Sequence, residues 1–315
     1  MTLRIIVEQY ATFRKTLGER FQVNGQVLKA FCRAMGEGAI LADVSSERMS
    51  VFLAGTGPLT ASWHVRHNAL LGFYRYAISR GIVTDSPLPL VIPKRPPAFQ
   101  PYIYSPDELR HLVDATASYQ GHRGSLHPVT VRAIILLMYG AALRTSEALS
   151  LTITDVDLSN AVLTVRDSKF FKSRLVPLGP KLNQTIAEYA SWSDLSGYSQ
   201  DGTSPFFVGR TGKRVNINTL ETAFQQIRVH ASVRREGGAR CQPRLHDLRH
   251  SSAVHRLTTW YREGKDVQKL LPQLSVYMGH AQLAATQVYL TMTPELLHEA
   301  CLRFERYATP EGCHD

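Results

Sequence analysis

Leu245-His246-Asp247-Leu248-Arg249-His250 is the most informative stretch of the sequence. If it begins a helix, Leu245 and Leu248 face a core, while His246 and Arg249 share the opposite, reachable face three residues apart. A helix N-terminus also attracts phosphate through its free N–H groups and its dipole. The pattern therefore predicts a proton-transfer group and a forked cation at an anion site. The alternative is an ordinary solvated polar face beside a core contact.

Composition narrows the class of partner. The chain has 315 residues, of which 44% are hydrophobic, and this indicates a folded protein of two domains. It contains 36 Lys and Arg against 26 Asp and Glu, which gives a net charge of +10. A surplus of this size favours a polyanionic partner, most commonly nucleic acid, over a merely soluble basic protein.

Cysteine and hydropathy patterns argue against several other classes. The four cysteines, at positions 32, 241, 301 and 313, are scattered without a C-x-x-C pair. This is typical of reduced thiols rather than of a disulfide framework or a zinc site. There is no signal-peptide pattern, and the longest apolar run, 133–143, is too short to cross a bilayer. We therefore expect a cytoplasmic protein without a membrane partner.

The first part of the chain has helical periodicity. Segments 3–17, 27–35, 46–53 and 60–79 predict four short helices, and they form a domain over residues 1–83. The last of these helices has one apolar stripe, formed by Trp63, His67, Leu70, Tyr74 and Ala77. Residues 84–104 are basic and rich in proline, which predicts an extended linker before a second domain at 105–315. Such a linker would let the two domains close around a duplex as a clamp.

The second domain begins with a clear helix start and continues into a small sheet. Ser105-Pro106-Asp107-Glu108 places serine at the N-cap, proline at the first helical position and glutamate at the reciprocal capping position. A nearly continuous apolar run, 129–139, predicts a buried helix. Segments 161–166 and 174–178 have strand character, with a turn over 167–173 between them.

Two further helices are predicted toward the C-terminus. Asn218 with Glu221 predicts the cap of the first, whose apolar stripe comprises Leu220, Ala223, Phe224, Ile227 and Ala231. The second begins at Thr293-Pro294-Glu295, and its stripe comprises Leu297, Ala300, Cys301, Phe304 and Tyr307.

Five short motifs follow one another in the second domain. They are Leu143-Arg144-x-x-Glu147-x-x-x-Leu151; Lys169 ahead of Arg174-Leu175-Val176-Pro177-Leu178-Gly179; His246-x-x-Arg249; Gly279-His280; and Tyr289. In this order they resemble the tyrosine recombinases, the phage-integrase family, over residues 105–293. The resemblance implies a mainly α fold with a small β-sheet: a helical SAM-like core-binding domain followed by a mixed α/β catalytic domain.

The residue types suit phosphodiester transfer by side chains alone. The sequence has no acidic cluster for paired magnesium ions, so fixed cations must stabilise the charge that develops on phosphate, and we expect no metal and no cofactor. By resemblance, Arg144 and Arg249 grip the phosphate, and Tyr289 attacks it to give a 3′-phosphotyrosine. Lys169 is then the general acid and His246 the general base. The remaining roles implied are a hydrogen bond from His280 to the phosphate and orientation of the Arg144 helix by Glu147.

Several alternatives stay open. Lys172 competes with Lys169 in the same turn, and Tyr277 and Tyr307 are rivals of Tyr289. Arg144 and Glu147 could form only a surface ion pair. His250 has no obvious chemical step, so we expect it to be structural.

The chain also departs from the family pattern in two places. Ala141-Ala142 stands where the family more often has Thr-Gly, and the stretch from Arg249 to His280 is longer than usual. The longer stretch resembles recombinases carried by transposons and other mobile elements.

Basic side chains outside the chemical core are candidate contacts to the DNA backbone, with a solvated face as the alternative. They are Arg66, Arg75, Lys94, Arg95, Lys172, Arg174, Arg234, Arg235, Arg240 and Arg244. The resemblance implies a site-specific recombinase that acts on double-stranded DNA as a homotetramer on paired sites, with other recombinases or accessory proteins as further partners. Its last helix would dock on a neighbouring subunit, although its apolar stripe suits packing in its own subunit equally. The role would be integration, excision or transposition of a mobile element. A type IB-like topoisomerase and a catalytically silent DNA-binding accessory protein are the rival functions.

Overall fold

The computed structural model describes residues 1–19, 21–56, 60–96, 100–120, 126–166, 173–238, 241–291 and 293–308. The chain divides into two compact units, Met1–Phe99 and Gln100–Asp315. The division lies inside the segment 84–104 that the sequence predicts as a linker. Among the described residues, no helix is long and apolar enough to cross a membrane.

In the part of the N-terminal unit that the structure describes, there are four α-helices. They are α1 (Leu3–Thr16), α2 (Gln22–Met35), α3 (Ser46–Ala54) and α4 (Ala61–Ser79). This confirms the four predicted helices, although α2 begins at Gln22, five residues before the predicted start. Glycine and asparagine in its first turns are weak helix formers and hide that start in the sequence. The predicted apolar stripe of α4 is buried at each of its five positions and packs into a core with α1 and α2.

The second unit is mostly helical and contains a three-stranded sheet. Its helices are α5 (Pro106–Ala115), α6 (Pro128–Gly140), α7 (Thr145–Ser150), α8 (Pro180–Leu195), α9 (Ile217–His230), α10 (Asp247–Arg262), α11 (Val267–Met278), α12 (Ala284–Gln287) and α13 (Pro294–Ala308). Its strands are β1 (Val156–Asp157), β2 (Val162–Val165) and β3 (Arg174–Pro177), which pair antiparallel in the order β1-β2-β3. The predicted fold class, mainly α with a small β-sheet, is confirmed.

Local signals located most of these elements correctly. The capping box at the start of α5 is present: the Ser105 hydroxyl accepts from the Glu108 N–H, and the Glu108 carboxylate accepts from the Ser105 N–H. The cap of α9 was predicted at Asn218, and this is wrong. Asn216 is the cap, because its side chain accepts from the backbone N–H of Asn218, which already lies inside the helix.

In the apolar stripe predicted for α13, the side chains of Leu297, Cys301 and Phe304 are exposed. Leu297 is 46% exposed and Phe304 73% exposed, whereas Leu296 is buried. The helix packs against α10 through the neighbouring face, which also carries Glu299 and Arg303. These two charged side chains bond to the Arg262 guanidinium and the Lys265 carbonyl oxygen. Because the packed face carries these polar residues, the hydrophobic periodicity predicted the wrong face of the helix.

Candidate active site

One buried carboxylate, that of Glu147, brings together three arginines of the second unit. Glu147, on α7, is 5% exposed. Its oxygens accept hydrogen bonds from Arg144 Nη1 at 2.6 Å and from Arg174 Nη1 and Nη2 at 3.1 and 2.8 Å. A third guanidinium, that of Arg249, places Nη1 3.8 Å from Glu147 Oε2. The Arg144–Glu147 pair is therefore part of a buried network rather than the surface ion pair that the spacing alone allowed.

The network keeps Glu147 ionised. Burial raises the pKa of this carboxyl, but the hydrogen bonds from the Arg174 side chain and the Arg144 backbone, together with the charges of both arginines, lower it to about 2. At neutral pH the carboxylate thus carries a full negative charge among three guanidinium groups. Truncating it would leave Arg174 and Arg249 buried without that counter-charge.

Carbonyl oxygens at two helix ends hold the same arginines. Arg249 donates from Nη1 to the Ala142 oxygen, two residues past α6, and from Nη2 to the Met278 oxygen at the end of α11, at 2.5 and 2.6 Å. The Gly279 oxygen accepts from Arg144 Nη2 at 3.0 Å, and the Tyr277 oxygen accepts from Arg174 Nε at 2.9 Å. The last carbonyls of a helix lack intrahelical partners and form the negative end of its dipole, so they suit cations.

The structure corrects the orientation that the spacing predicted for the start of α10. Leu245 and Leu248 are buried, as predicted. Arg249 does not share a reachable face with His246, because its side chain is 2% exposed between the ends of α6 and α11. Burial and the charge of Arg144 lower the pKa of Arg249 to about 10, so it stays protonated at neutral pH. Arg144, at 23% exposure, is the more accessible guanidinium.

Two independent features of the structure favour glycine at position 279. Its φ of +69° ends α11 in the left-handed conformation, which favours glycine. A Cβ at this position would lie 2.5 Å from Arg174 Nη1, so a side chain would displace the guanidinium bound to Glu147. The following residue, His280, is held by a 2.7 Å hydrogen bond between its Nδ1 and the Thr286 hydroxyl.

The candidate nucleophile lies in a group of three histidines. Tyr289, in a short 3-10 helix over Val288–Thr291, is 3% exposed. Its hydroxyl oxygen lies 3.1 Å from His250 Nδ1, and its ring stacks on the His280 ring with centroids 6.0 Å apart. The His246 ring meets the His250 ring edge-on at 5.0 Å. The fold thus brings His246, His280 and Tyr289 together with Arg144, Glu147 and Arg249.

Burial and positive charge keep the histidines neutral. Burial, followed by repulsion from the protonated form of His246 and by the charge of Arg249, lowers the pKa of His250 to about 4. The pKa of His280 falls to about 4 through burial and then the charges of Arg249 and Arg144. Burial and Arg249 also lower the pKa of His246. In contrast, burial raises the pKa of Tyr289 despite the opposing charge of Arg249, so the phenol keeps its proton at neutral pH.

Some predicted site residues lie outside the described residues. These are Lys169, Lys172 and Arg240. Of the rival tyrosines, Tyr277 directs its hydroxyl to the carbonyl oxygens of Gly140 and Pro177, at 3.4 Å each. The side chain of Tyr307 is not among those described.

Four candidate DNA contacts are engaged within the protein. Arg174 is 9% exposed and belongs to the Glu147 network instead. The half-buried Arg66 donates to the carbonyl oxygens of Phe52 and Leu53 at 3.0 and 3.3 Å, at the end of α3. Arg244 pairs with the buried Asp247 at 2.8 Å, and Arg235 donates to the Gln100 oxygen at 2.9 Å. The exposed candidates are Arg75, Lys94, Arg95 and Arg234, for which DNA contact stays a prediction.

The sequence motifs did not predict the roles of two residues in the site, Arg174 and His250. Arg174 was predicted only as a DNA contact, although Val176, two residues later on β3, is fully buried. Side chains two apart on a strand share a face, so alternation could have indicated that Arg174 points inward. His250 was expected to be merely structural. Nothing local in the sequence predicts its contact with Tyr289, 39 residues away.

Fold and site define a class of protein. Guanidinium groups bind oxyanions, a phenol is a nucleophile, and neutral imidazoles exchange protons near neutral pH. Among the described residues, no group of three His, Cys, Asp or Glu side chains could hold a metal ion. These groups suit covalent transfer of an anionic group to the tyrosine hydroxyl.

Comparison with known proteins identifies the family. Residues 103–295 match the model of the phage integrase family. An inferred integrase/recombinase of Sinorhizobium fredii, y4rE, is 33% identical over 94% of this chain and 94% of its own. The tyrosine recombinase XerC of Proteus mirabilis is 30% identical over 78% of this chain and 74% of its own. The structure of a lambda integrase tetramer bound to a Holliday junction has a TM-score of 0.68 at 17% identity, covering 92% of this chain and 77% of that one. The chain belongs to the phage integrase family.

Proposed function

We propose that the protein is a site-specific DNA recombinase that cuts and rejoins duplex DNA through a covalent bond between Tyr289 and a 3′-phosphate. The observation that carries the proposal is the convergence of a buried tyrosine hydroxyl with arginines and neutral histidines at one point. Family membership supports the same chemistry. The net charge of +10 suits a protein that holds DNA.

Each side chain has a role that its position supports. Arg144 and Arg249 bind the non-bridging phosphate oxygens and stabilise the charge that grows on them in the transition state. His280 hydrogen-bonds the same phosphate, and the family resemblance implies that His246 is the general base. Lys169 protonates the departing 5′-oxygen. Because phosphotyrosine retains a phosphodiester-like bond, rejoining needs neither a metal nor a nucleotide cofactor.

The proposed assembly of several subunits follows from the reaction, because strands must be exchanged between two duplexes. The related lambda integrase is a tetramer on a Holliday junction, and we propose a homotetramer of this chain on paired sites. The names integrase and recombinase among its relatives support integration, excision or transposition of a mobile element. We place the protein in the cytoplasm, with access to chromosomal DNA.

Covalent trapping tests the proposal. The substrate is a duplex that the wild-type protein selects from a random library, with a nick near its centre. After cleavage, the short fragment with the free 5′-hydroxyl diffuses away, so the strand cannot be rejoined. We expect a protein–DNA adduct through the 3′-phosphate, formed in EDTA and lost in Tyr289→Phe. Tyr277→Phe is the matched control, because its hydroxyl faces two carbonyls at 3.4 Å, and it should form the adduct normally.

The other outcomes separate the rival functions. Binding without any adduct from the wild type would indicate a silent accessory protein. An adduct accompanied by relaxation of supercoils but no recombinant product would indicate a type IB-like topoisomerase. An adduct that persists in Tyr289→Phe would mean that another residue is the nucleophile.

A further inference from the structure

His250 contacts the reacting atom of the candidate nucleophile, a hydroxyl that Arg249 also approaches. Its Nδ1 lies 3.1 Å from the Tyr289 hydroxyl oxygen, within hydrogen-bond distance. Its ring also contacts the Tyr289 ring, with centroids 5.6 Å apart. His250 comes from the first turn of α10 and Tyr289 from the 3-10 helix after α12, so the tertiary fold creates this contact.

The buried Tyr289 hydroxyl needs a neighbouring side chain to accept its proton. Tyr289 is 3% exposed, so water does not compete freely for its proton, and burial raises its pKa. A buried phenol is a poor nucleophile until a base removes that proton. Burial lowers the pKa of His250 to about 4, so its ring is neutral and has a free lone pair on one nitrogen. The same burial makes it a weak base at rest, so the proton moves only as the phenol oxygen bonds to phosphorus and becomes more acidic.

The family resemblance implies a different general base, His246. It lies three positions before Arg249, and its ring contacts the His250 ring at 5.0 Å. The sequence thus supplies two histidines where the resemblance implies one base, and the fold gives the hydroxyl contact to the second.

We propose that His250 is a catalytic residue that accepts the hydroxyl proton of Tyr289 as the tyrosine attacks the phosphate. This assignment rests on the proposed function. In the attack, the Tyr289 O–H bond breaks and its proton moves to Nδ1 of His250, which becomes an imidazolium with its other proton on Nε2. A bond forms between the phenol oxygen and phosphorus, and the bond from phosphorus to the 5′-oxygen breaks. The leaving oxygen takes a proton from the general acid, and in rejoining the imidazolium returns its proton to the phenol.

The same helix provides a matched control. His255, also on α10, places Nδ1 2.9 Å from the Tyr139 hydroxyl, a second histidine–tyrosine pair away from the arginine network. Asparagine at either position offers an amide near the place of Nδ1, so it retains a hydrogen bond but cannot take up a proton. His250→Asn and His255→Asn therefore lose comparable packing, and only the first loses the proton acceptor.

The experiment compares single-turnover cleavage of the nicked duplex by the wild type, His250→Asn and His255→Asn. We expect His250→Asn to cleave about 100-fold more slowly or worse, which is the usual range for losing an acid–base group. We expect His255→Asn to cleave at the wild-type rate. Each protein is then prepared with 3,5-difluorotyrosine at position 289, whose more acidic hydroxyl ionises with less help. This replacement should bring His250→Asn to within about tenfold of the wild type, because it supplies what the missing base supplied.

Other results overturn the assignment in distinguishable ways. Cleavage by His250→Asn within about threefold of the wild type, or faster, would mean that the contact only holds Tyr289 at rest. A slow His250→Asn that difluorotyrosine does not restore would mean that His250 positions the phenol without accepting its proton. The ¹⁹F signal of difluorotyrosine 289 should move in His250→Asn and not in His255→Asn, which checks the contact in folded protein without reference to activity. A wild type that forms no adduct would instead overturn the proposed function.

Discussion

Replacing Glu147 by glutamine tests whether one buried carboxylate holds the arginine network together. Glutamine keeps the size of the side chain but removes its charge. Arg174 and Arg249, at 9% and 2% exposure, then remain in the protein interior without their counter-charge. We expect Glu147→Gln to lose both stability and DNA cleavage, because the same contacts that stabilise the fold position Arg144.

The magnitude follows from the pKa of the carboxyl. Its pKa falls from an ordinary 4.5 to about 2 in the folded protein. Each factor of ten in an ionisation constant corresponds to about 1.4 kcal/mol, so the ionised carboxylate stabilises the fold by about 3 kcal/mol at neutral pH. Breaking a buried ion pair by removing one partner typically costs about 3–5 kcal/mol, which agrees.

Urea unfolding at pH 7 and pH 4 measures the effect. In a Trp63→Phe background, fluorescence comes only from Trp192 and Trp260, which both lie in the second unit. Glu263→Gln is the control, because that exposed carboxylate pairs with the exposed Lys265 in the same unit, and it should change stability by less than about 0.5 kcal/mol.

The pH dependence has a definite sign. Because folding lowers the pKa of Glu147, its contribution is complete above the unfolded value of 4.5 and is lost as pH falls toward 2. The free-energy gap between the wild type and Glu147→Gln should therefore narrow by about 1 kcal/mol from pH 7 to pH 4. A loss below about 1 kcal/mol at pH 7, or a gap unchanged at pH 4, would refute the reasoning.

Two further substitutions test other parts of the site. Gly279→Ala should destabilise the second unit by about 2 kcal/mol in urea unfolding, because it places an alanine in a left-handed conformation against Arg174. It should also slow adduct formation by displacing His280. Unchanged cleavage would show that the Arg174 contact is not needed for activity. Lys169→Ala should block cleavage of an ordinary nicked duplex but cleave one with a 5′-bridging phosphorothiolate, whose sulfur leaves without a proton. Rescue confined to Lys172→Ala would assign the general acid to Lys172.

Features that depend on neighbouring residues were predictable from the sequence. The start of α5 follows from serine, proline and glutamate within four positions, and the structure contains the expected reciprocal hydrogen bonds. Strands β2 and β3 follow from two short segments with strand character on either side of a predicted turn. The stripe of α4 follows from apolar spacings of three and four. For α5 the stabilising partner lies three residues away, and for the strands and α4 the spacing of apolar residues marks the buried face.

Features that depend on distant residues were not predictable in the same way. Spacing alone placed Arg249 on an open face, since an arginine is rarely buried. Its burial depends on carbonyl oxygens from Ala142 and Met278, which are 107 and 29 residues away. The packed face of α13 likewise contains Glu299 because a partner arginine on α10 satisfies it. Neither compensation can be seen in a short window of sequence.

The charge balance of the network gives a reason for its composition. Arg144, Arg174 and Arg249 contribute three positive charges and Glu147 one negative charge, so these four side chains carry +2 while the neighbouring histidines are neutral. A phosphodiester carries one negative charge, and attack by a deprotonated tyrosine adds a second in the pentavalent transition state. A site of charge +2 therefore complements the transition state better than the ground state, which is the condition for accelerating a reaction. Carbonyl oxygens at the ends of α6 and α11 hold the guanidiniums in place without cancelling that charge. Without Glu147 the cluster would carry +3 at rest, with stronger mutual repulsion among its guanidinium groups.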